Sequence, residues 1–99
     1  MLNLNLDGKY IEFIKNAVCN IFGNVETYIF GSRVQNKSLE YSDIDIALKG
    51  SGKLDFEKLL KLRTFFHDSD FPYKVDILDL NDVEEKFYNI IKDDLYKIL

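Results

Sequence analysis

The sequence is poor in several things that would have pointed elsewhere. It holds one cysteine, Cys19, and one proline, Pro72, in 99 residues. A single thiol cannot form an intramolecular disulfide, which suits a reducing, cytoplasmic compartment rather than a disulfide-stapled secreted domain. Positive charge is in deficit: 13 Lys and Arg stand against 17 Asp and Glu, a formal net charge of −4. A general grip on DNA or RNA phosphates needs a basic face, so direct nucleic-acid binding is not expected. No apolar run approaches the roughly 20 residues of a membrane span. Met1 to Lys9 alternates apolar and polar residues and lacks the basic start and apolar stretch of a signal peptide. No repeat and no low-complexity segment is present. What remains is 46% hydrophobic, an ordinary globular content, and the length suits a single domain over residues 1–99.

Periodicity assigns the elements. Tyr10, Ile11, Ile14, Ala17, Val18 and Ile21 recur at helical spacing, with Phe13 and Phe22 widening the stripe. Asp7 is placed to cap the start of this helix and Gly23 to end it. Cys19 lies beside the stripe and reads as a small packing residue. Val25 to Phe30 is β-branched and aromatic, hence a strand. Ile44 to Lys49 is a second strand, with Ile44, Ile46 and Leu48 on one face and Asp43, Asp45 and Ala47 on the other. Gly50, Ser51 and Gly52 form a loop. Leu54 to His67 reads as a helix, with His67 in its last turn, where a cation suits the dipole. Tyr73 to Leu80 is a third strand, and Val83 to Ile98 a last helix. The runs Glu84-Glu85-Lys86 and Lys92-Asp93-Asp94 read as solvated helix faces. The expected order, allowing a short helix after the first strand, is α-β-α-β-α-β-α. It is an α/β (α+β) fold with a small, mixed, three-stranded sheet flanked by helices.

Three places carry chemistry. Asp43 and Asp45 are two apart on a strand and therefore share a face. Carboxylates that close repel, and each favours a proton or a cation. Hard oxygen ligands suit Mg2+, which takes one or two carboxylates together with substrate phosphates. The helix between the second and third strands makes a β-α-β unit, which sets those strands parallel and close. Asp76, flanked by Val75 and Ile77, then arrives beside the pair. Three carboxylates in one cleft can hold two metals for in-line phosphoryl displacement. The plainer alternatives are that Asp43 is a turn residue and Asp45 a solvated strand position. Asp76 is harder to explain that way, because Asp is depleted in strands. The third place is Gly31-Ser32-Arg33 at the end of the first strand. Glycine admits close backbone approach, Ser32 offers a hydroxyl and Arg33 a charged fork suited to phosphate. A simple strand-to-helix turn would use the same residues. If the first two strands are antiparallel neighbours, the turn and the aspartates meet, with ten residues between Ser32 and Asp43.

Phe30-Gly31-Ser32-Arg33-Val34, followed by Ser42-Asp43-Ile44-Asp45-Ile46-Ala47, resembles the minimal nucleotidyltransferases of the DNA polymerase β superfamily. Their pattern is Gly-Ser-Arg-Ala, a short polar stretch, and Ser-Asp-Ile-Asp-Leu, with a third carboxylate on a later strand in a setting like Val75-Asp76-Ile77. The resemblance covers nearly the whole chain. It implies the polymerase β-like core and transfer of a nucleoside monophosphate from a nucleoside triphosphate, ATP by family default, with pyrophosphate leaving. It implies that Gly31 and Ser32 hold the β- and γ-phosphates and that Arg33 makes a further contact, to the nucleotide phosphates or to a partner. Asp43 and Asp45 would ligate two Mg2+ ions, and Asp76 would ligate the catalytic metal and help deprotonate the acceptor hydroxyl. Asn36 stands where relatives often have a second glycine, and Leu39 where they often have a polar or basic residue. Neither change removes a metal ligand.

Small relatives of this kind are commonly paired with an all-helical HEPN-type toxin. The resemblance therefore implies an antitoxin that moves AMP to a tyrosine hydroxyl of such a partner and also binds it. Phe71, Tyr73, Tyr88 and Tyr96 are candidates for that interface, each with an ordinary core or surface role as the alternative. Two other functions compete: a binding module that neutralises a helical partner by occlusion, and nucleotide transfer to a small molecule. No membrane association is expected.

Overall fold

The computed structural model describes residues 3–34 and 43–99. Asn36, Leu39 and Ser42 lie outside them, as does most of the link where a short helix is expected. The first helix, α1, runs Gly8–Phe22. The Asp7 side chain accepts the Lys9 N–H at 3.0 Å, and Gly23, at φ 76°, donates its N–H to the Cys19 carbonyl. Both caps sit where the sequence places them. Strand β1 spans Glu26–Phe30 and ends in a 3-10 turn, Gly31–Arg33. Strand β2 is Ile44–Lys49, followed by helix α2, Phe56–Asp68. Asp55 caps α2, accepting the N–H groups of Glu57 and Lys58 at 2.8 and 3.2 Å. Strand β3 is Val75–Asp79, helix α3 is Glu85–Ile91, and a short strand β4, Tyr96–Lys97, follows.

The sheet order is β3-β2-β1-β4. β1 is antiparallel to both β2 and β4, and β2 is parallel to β3. The sheet is therefore mixed, as expected, but has four strands rather than three. The last helix stops at Ile91 instead of continuing to Ile98. Two causes are visible. Lys92-Asp93-Asp94 would place two carboxylates at the negative end of a helix, which is unfavourable. And β1 has a free edge that the tail satisfies: Ile98 N–H donates to the Thr27 carbonyl at 2.8 Å, and Thr27 N–H to the Leu99 carbonyl at 3.0 Å. A Lys97–Glu26 ion pair of 3.3 Å closes the same edge.

The sheet has two covered faces. Ile44, Ile46 and Leu48 of β2, with Ile29 and Ile77, face α1 and α2 and meet Ile14, Val18, Leu59, Leu62 and Phe66 there. The opposite face carries Ala47 and Leu78, packed with Phe30 and Ile91. Phe71 and Tyr73 are half-buried rather than fully exposed. They belong to a ring cluster in which Phe71 lies 5.0 Å from Phe13 and 5.3 Å from Phe66, and Tyr73 lies 5.2 Å from Tyr10. Cys19 is exposed on α1 and does not take the packing role expected of it. Tyr96 sits half-buried in β4, and Tyr88 stays exposed on α3.

The approach to α2 is held by Asp79 at the far end of β3. Its buried carboxylate accepts the Leu54 N–H at 2.8 Å and the Asn81 N–H at 2.9 Å. Asn81 in turn donates to the carbonyls of Gly50 and Gly52, both at 3.0 Å. Replacing Asp79 with Ala leaves two N–H groups without their charged acceptor. The expected loss is about 2 kcal/mol of unfolding free energy, read from the urea midpoint. A midpoint within about 0.5 kcal/mol of wild type would show that the staple is dispensable.

Candidate active site

Strand polarity builds the site. Antiparallel pairing places the end of β1 beside the start of β2, with Phe30 opposite Asp45. Parallel pairing places the start of β3 at the same end, with Ile44 opposite Val75 and Asp45 opposite Asp76. The Gly31–Arg33 turn, Asp43, Asp45 and Asp76 thus share one end of the sheet. Asp45 and Asp76 project from the face that carries Ala47 and Leu78 two residues further on, so α3 covers one half of that face and the carboxylates occupy the other.

Gly31 is required here for two reasons. Its φ is 80°, a left-handed conformation that costs an L-residue about 1–2 kcal/mol. A Cβ at Gly31 would also run into the Asp45 carboxylate. The turn is closed by the Val34 N–H donating to the Gly31 carbonyl at 3.0 Å, and Ser32 is half-exposed on it.

Asp45 is half-buried, whereas Asp43 and Asp76 are exposed. Burial pushes the Asp45 carboxyl above its ordinary range, and the negative charges of Asp76 and then Asp43 push it the same way. Among the described residues no cationic side chain forms a salt bridge with any of the three. Nor is any group of three or more His, Cys, Asp or Glu side chains gathered closely enough to hold an ion. The carboxylates instead form a spread strip of hard oxygens, in which Asp76 and Asp43 both act on Asp45. That donor type suits a divalent cation of the Mg2+ kind, which is taken by one or two carboxylates together with substrate phosphates rather than by a closed all-protein cage.

Arg33 is placed differently from what its charge suggests. The residue is 4% exposed. Its guanidinium carbon lies 4.5 Å from the Tyr73 ring centroid, and Nη1 donates to the Asn5 carbonyl at 3.1 Å. The Asn5 N–H returns a bond to the Arg33 carbonyl at 2.9 Å. Arg33 therefore ties the N-terminal segment and the Tyr73 segment to the turn. The partners of this clamp, Asn5 and Tyr73, carry no local sequence signal, because they are 28 and 40 residues away from it. His67 is exposed in the last turn of α2, its Nδ1 3.2 Å from Asp68 Oδ1.

Comparison with known proteins bears on the family and the fold. The family described as "Polymerase beta, Nucleotidyltransferase" matches residues 12–96. The "Probable protein adenylyltransferase MntA" of Haemophilus influenzae is 33% identical over 89 residues, spanning 90% of this chain and 78% of that protein. Among solved structures, a toxin–antitoxin crystal structure with AMP-PNP superposes with a TM-score of 0.76 at 22% identity, covering 90% of this chain and 72% of that one. A complex of tri-AMPylated Shewanella oneidensis HEPN toxin with MNT antitoxin gives 0.69 at 21% identity, covering 90% and 68%. At such identities the two structures speak to the fold.

Two outcomes follow from the geometry. A raised carboxyl in the folded state means that ionised Asp45 opposes folding above its folded pKa, and that the opposition vanishes as pH falls below the unfolded value. Asp45→Asn should therefore unfold at a higher urea concentration than wild type at pH 7 without divalent metal. The gap should shrink as pH is lowered into the carboxylate range; a gap independent of pH would contradict the assignment. Gly31→Ala should lose about 1–2 kcal/mol from the left-handed backbone alone. An unchanged urea midpoint would show that the turn can reshape.

Proposed function

The chain belongs to the polymerase β nucleotidyltransferase family, and from that premise we propose that it moves AMP from ATP to a hydroxyl, that of a tyrosine foremost, on a HEPN-type toxin, and so acts as an antitoxin. The observation that carries the reading is the placing of Asp45 opposite Asp76 and against Gly31 at one sheet end. The relative from H. influenzae and the AMPylated toxin complex support the acceptor class. Among the described residues no helix is long and apolar enough to cross a membrane. The lone exposed cysteine suits the cytoplasm.

In this reading Asp43, Asp45 and Asp76 would hold two Mg2+ ions, which when bound would supply charge neutralisation at the phosphate under attack. Gly31 lets the triphosphate approach the backbone closely, and the Ser32 hydroxyl donates to its β- or γ-oxygens. The acceptor oxygen attacks the α-phosphorus, the bond from the α-phosphorus to the bridging oxygen breaks, and pyrophosphate leaves. Asp76, the exposed carboxylate, receives the proton from the acceptor hydroxyl. Arg33 is a positioning residue: its clamp on Asn5 and Tyr73 holds the turn in place.

The test uses ATP labelled at the α-phosphate. The purified protein and Mg2+ are added to host lysate, with Asp45→Asn and Asp76→Asn alongside, and label is followed on a denaturing gel. One protein band should appear. Asp45→Asn should weaken it about 10³-fold or more, since a lost metal ligand removes several kcal/mol of charge stabilisation. Asp76→Asn should weaken it about 10²–10⁴-fold. Mg2+ should also raise the urea midpoint of wild type and not of Asp45→Asn. A partner bound but never labelled would leave neutralisation by occlusion. Label appearing only on a small molecule would redirect the acceptor class.

A further inference from the structure

Among the described residues β3 is an edge strand, with β2 its one neighbour in the sheet. The Ile44 N–H donates to the Lys74 carbonyl at 2.9 Å, and Ile44 stands opposite Val75. In a parallel ladder this turns the backbone groups of Lys74 and Asp76 toward β2 and those of Val75 and Ile77 away from it. A free edge is a template for another strand, and proteins usually blunt it. Here the blunting is partial. Arg63 Nη2 donates to the Ile77 carbonyl at 3.1 Å. Beyond it, Asp79 draws the Leu54 backbone over the end of the strand. The part of the edge that no described residue pairs is the Val75 N–H and carbonyl and the Ile77 N–H. These groups flank Asp76, the carboxylate assigned to receive the acceptor proton.

A groove of about 720 Å³ runs along this open stretch. Its walls include Phe71 and Tyr73 as apolar footing, Arg63, His67 and Lys74 as cationic or protonatable groups, and Asp76 at the catalytic end. The whole chain carries −4, yet the groove presents Arg63 and Lys74 against one carboxylate. Its occupant is therefore acidic. The paired donors and acceptor of a strand edge are satisfied by peptide backbone, and extended peptide commonly adds to such edges. Tyr73 to Ile77 spans only about 13 Å at the usual rise per residue, so a short segment suffices.

We propose that the acceptor protein enters as a short extended segment that adds to the free edge of β3, its acidic residues against Lys74 and Arg63, and so carries its hydroxyl to Asp76. This inference rests on the adenylyl-transfer reading and names how that site takes its substrate. The backbone pairing sets the register, and the register decides which hydroxyl reaches the carboxylate. The groove thus accounts for selection of one hydroxyl on a folded partner by a catalytic core of this size.

The test uses the acceptor protein purified from the Asp45-dependent band. Val75→Pro removes an outward N–H and leaves the β2 ladder untouched, an edge position that tolerates proline. Lys74→Glu reverses the charge of an exposed wall residue. Both should raise the acceptor KM about tenfold or more, with the KM for ATP and kcat at saturating acceptor unchanged. Backbone amide exchange gives a readout independent of catalysis. Adding the acceptor protein to the wild type should slow exchange at Val75 and Ile77 about tenfold or more, with the amides already paired to β2 unaffected. If Val75→Pro does not fold, Lys74→Glu and the exchange experiment decide. Wild-type acceptor KM in the variants, together with unprotected Val75 and Ile77 amides, would overturn the groove while transfer itself stood. Absence of any labelled protein in the lysate would remove the transfer reading and this inference with it.

Discussion

The Asp45 carboxylate occupies the space where Gly31 would carry a side chain, and the order of the site descends from that contact. It exists because Phe30 pairs with Asp45 across an antiparallel ladder, so the next residue of β1 turns directly over the carboxylate. A slip of one residue would send Asp45 to the face packed by α1 and α2 and put Ile44 or Ile46 in its place. Burial of the three isoleucine and leucine side chains of β2 forbids that slip. The hydrophobic core thus sets the register, and the register delivers the carboxylate to the turn.

The cost of this arrangement lies in electrostatics. Asp45 is half-buried next to two other negative charges, and folding alone would favour a neutral residue there. Retaining a carboxylate at such a position makes sense when a cation or a proton is part of the work. Two buried polar side chains elsewhere in the fold are satisfied conventionally. Asp79 is buried but accepts two N–H groups, and Thr27, fully buried, donates its hydroxyl to the Val25 carbonyl at 3.2 Å. The contrast within one small sheet separates a structural aspartate from the candidate site aspartate.

The aromatic cluster and the Arg33 clamp join the same region from the other side. Tyr73 receives the Arg33 guanidinium on its ring and packs edge-on against Tyr10, so the segment entering β3 is tied to both the turn and α1. Displacement of the turn would therefore be felt at Tyr73, two residues before β3 begins at Val75. Rigid support beneath a loop-borne site is what holds reacting groups in position.

Much of this was legible in the sequence. Alternation along Ile44 to Lys49 predicts both faces of β2, and the caps Asp7 and Gly23 bound α1, because those signals are local and depend on backbone stereochemistry alone. The pattern from Gly31 through Asp43 and Asp45 to Asp76 marks a candidate site before any fold is known, through its resemblance to the nucleotidyltransferase motif. Other features needed the tertiary structure. Tyr96 to Ile98 is a short apolar run, compatible with helix or strand, and only the open edge of β1 made it a strand. The charge of Arg33 suggests a phosphate ligand, whereas its burial against Asn5 and Tyr73 is set by long-range packing. Which edge of the sheet stays open beside Asp76 was likewise decided by where α2 and the tail came to rest. Local stereochemistry is written residue by residue, whereas pairing partners and free edges exist only once distant segments compete for the same backbone hydrogen bonds.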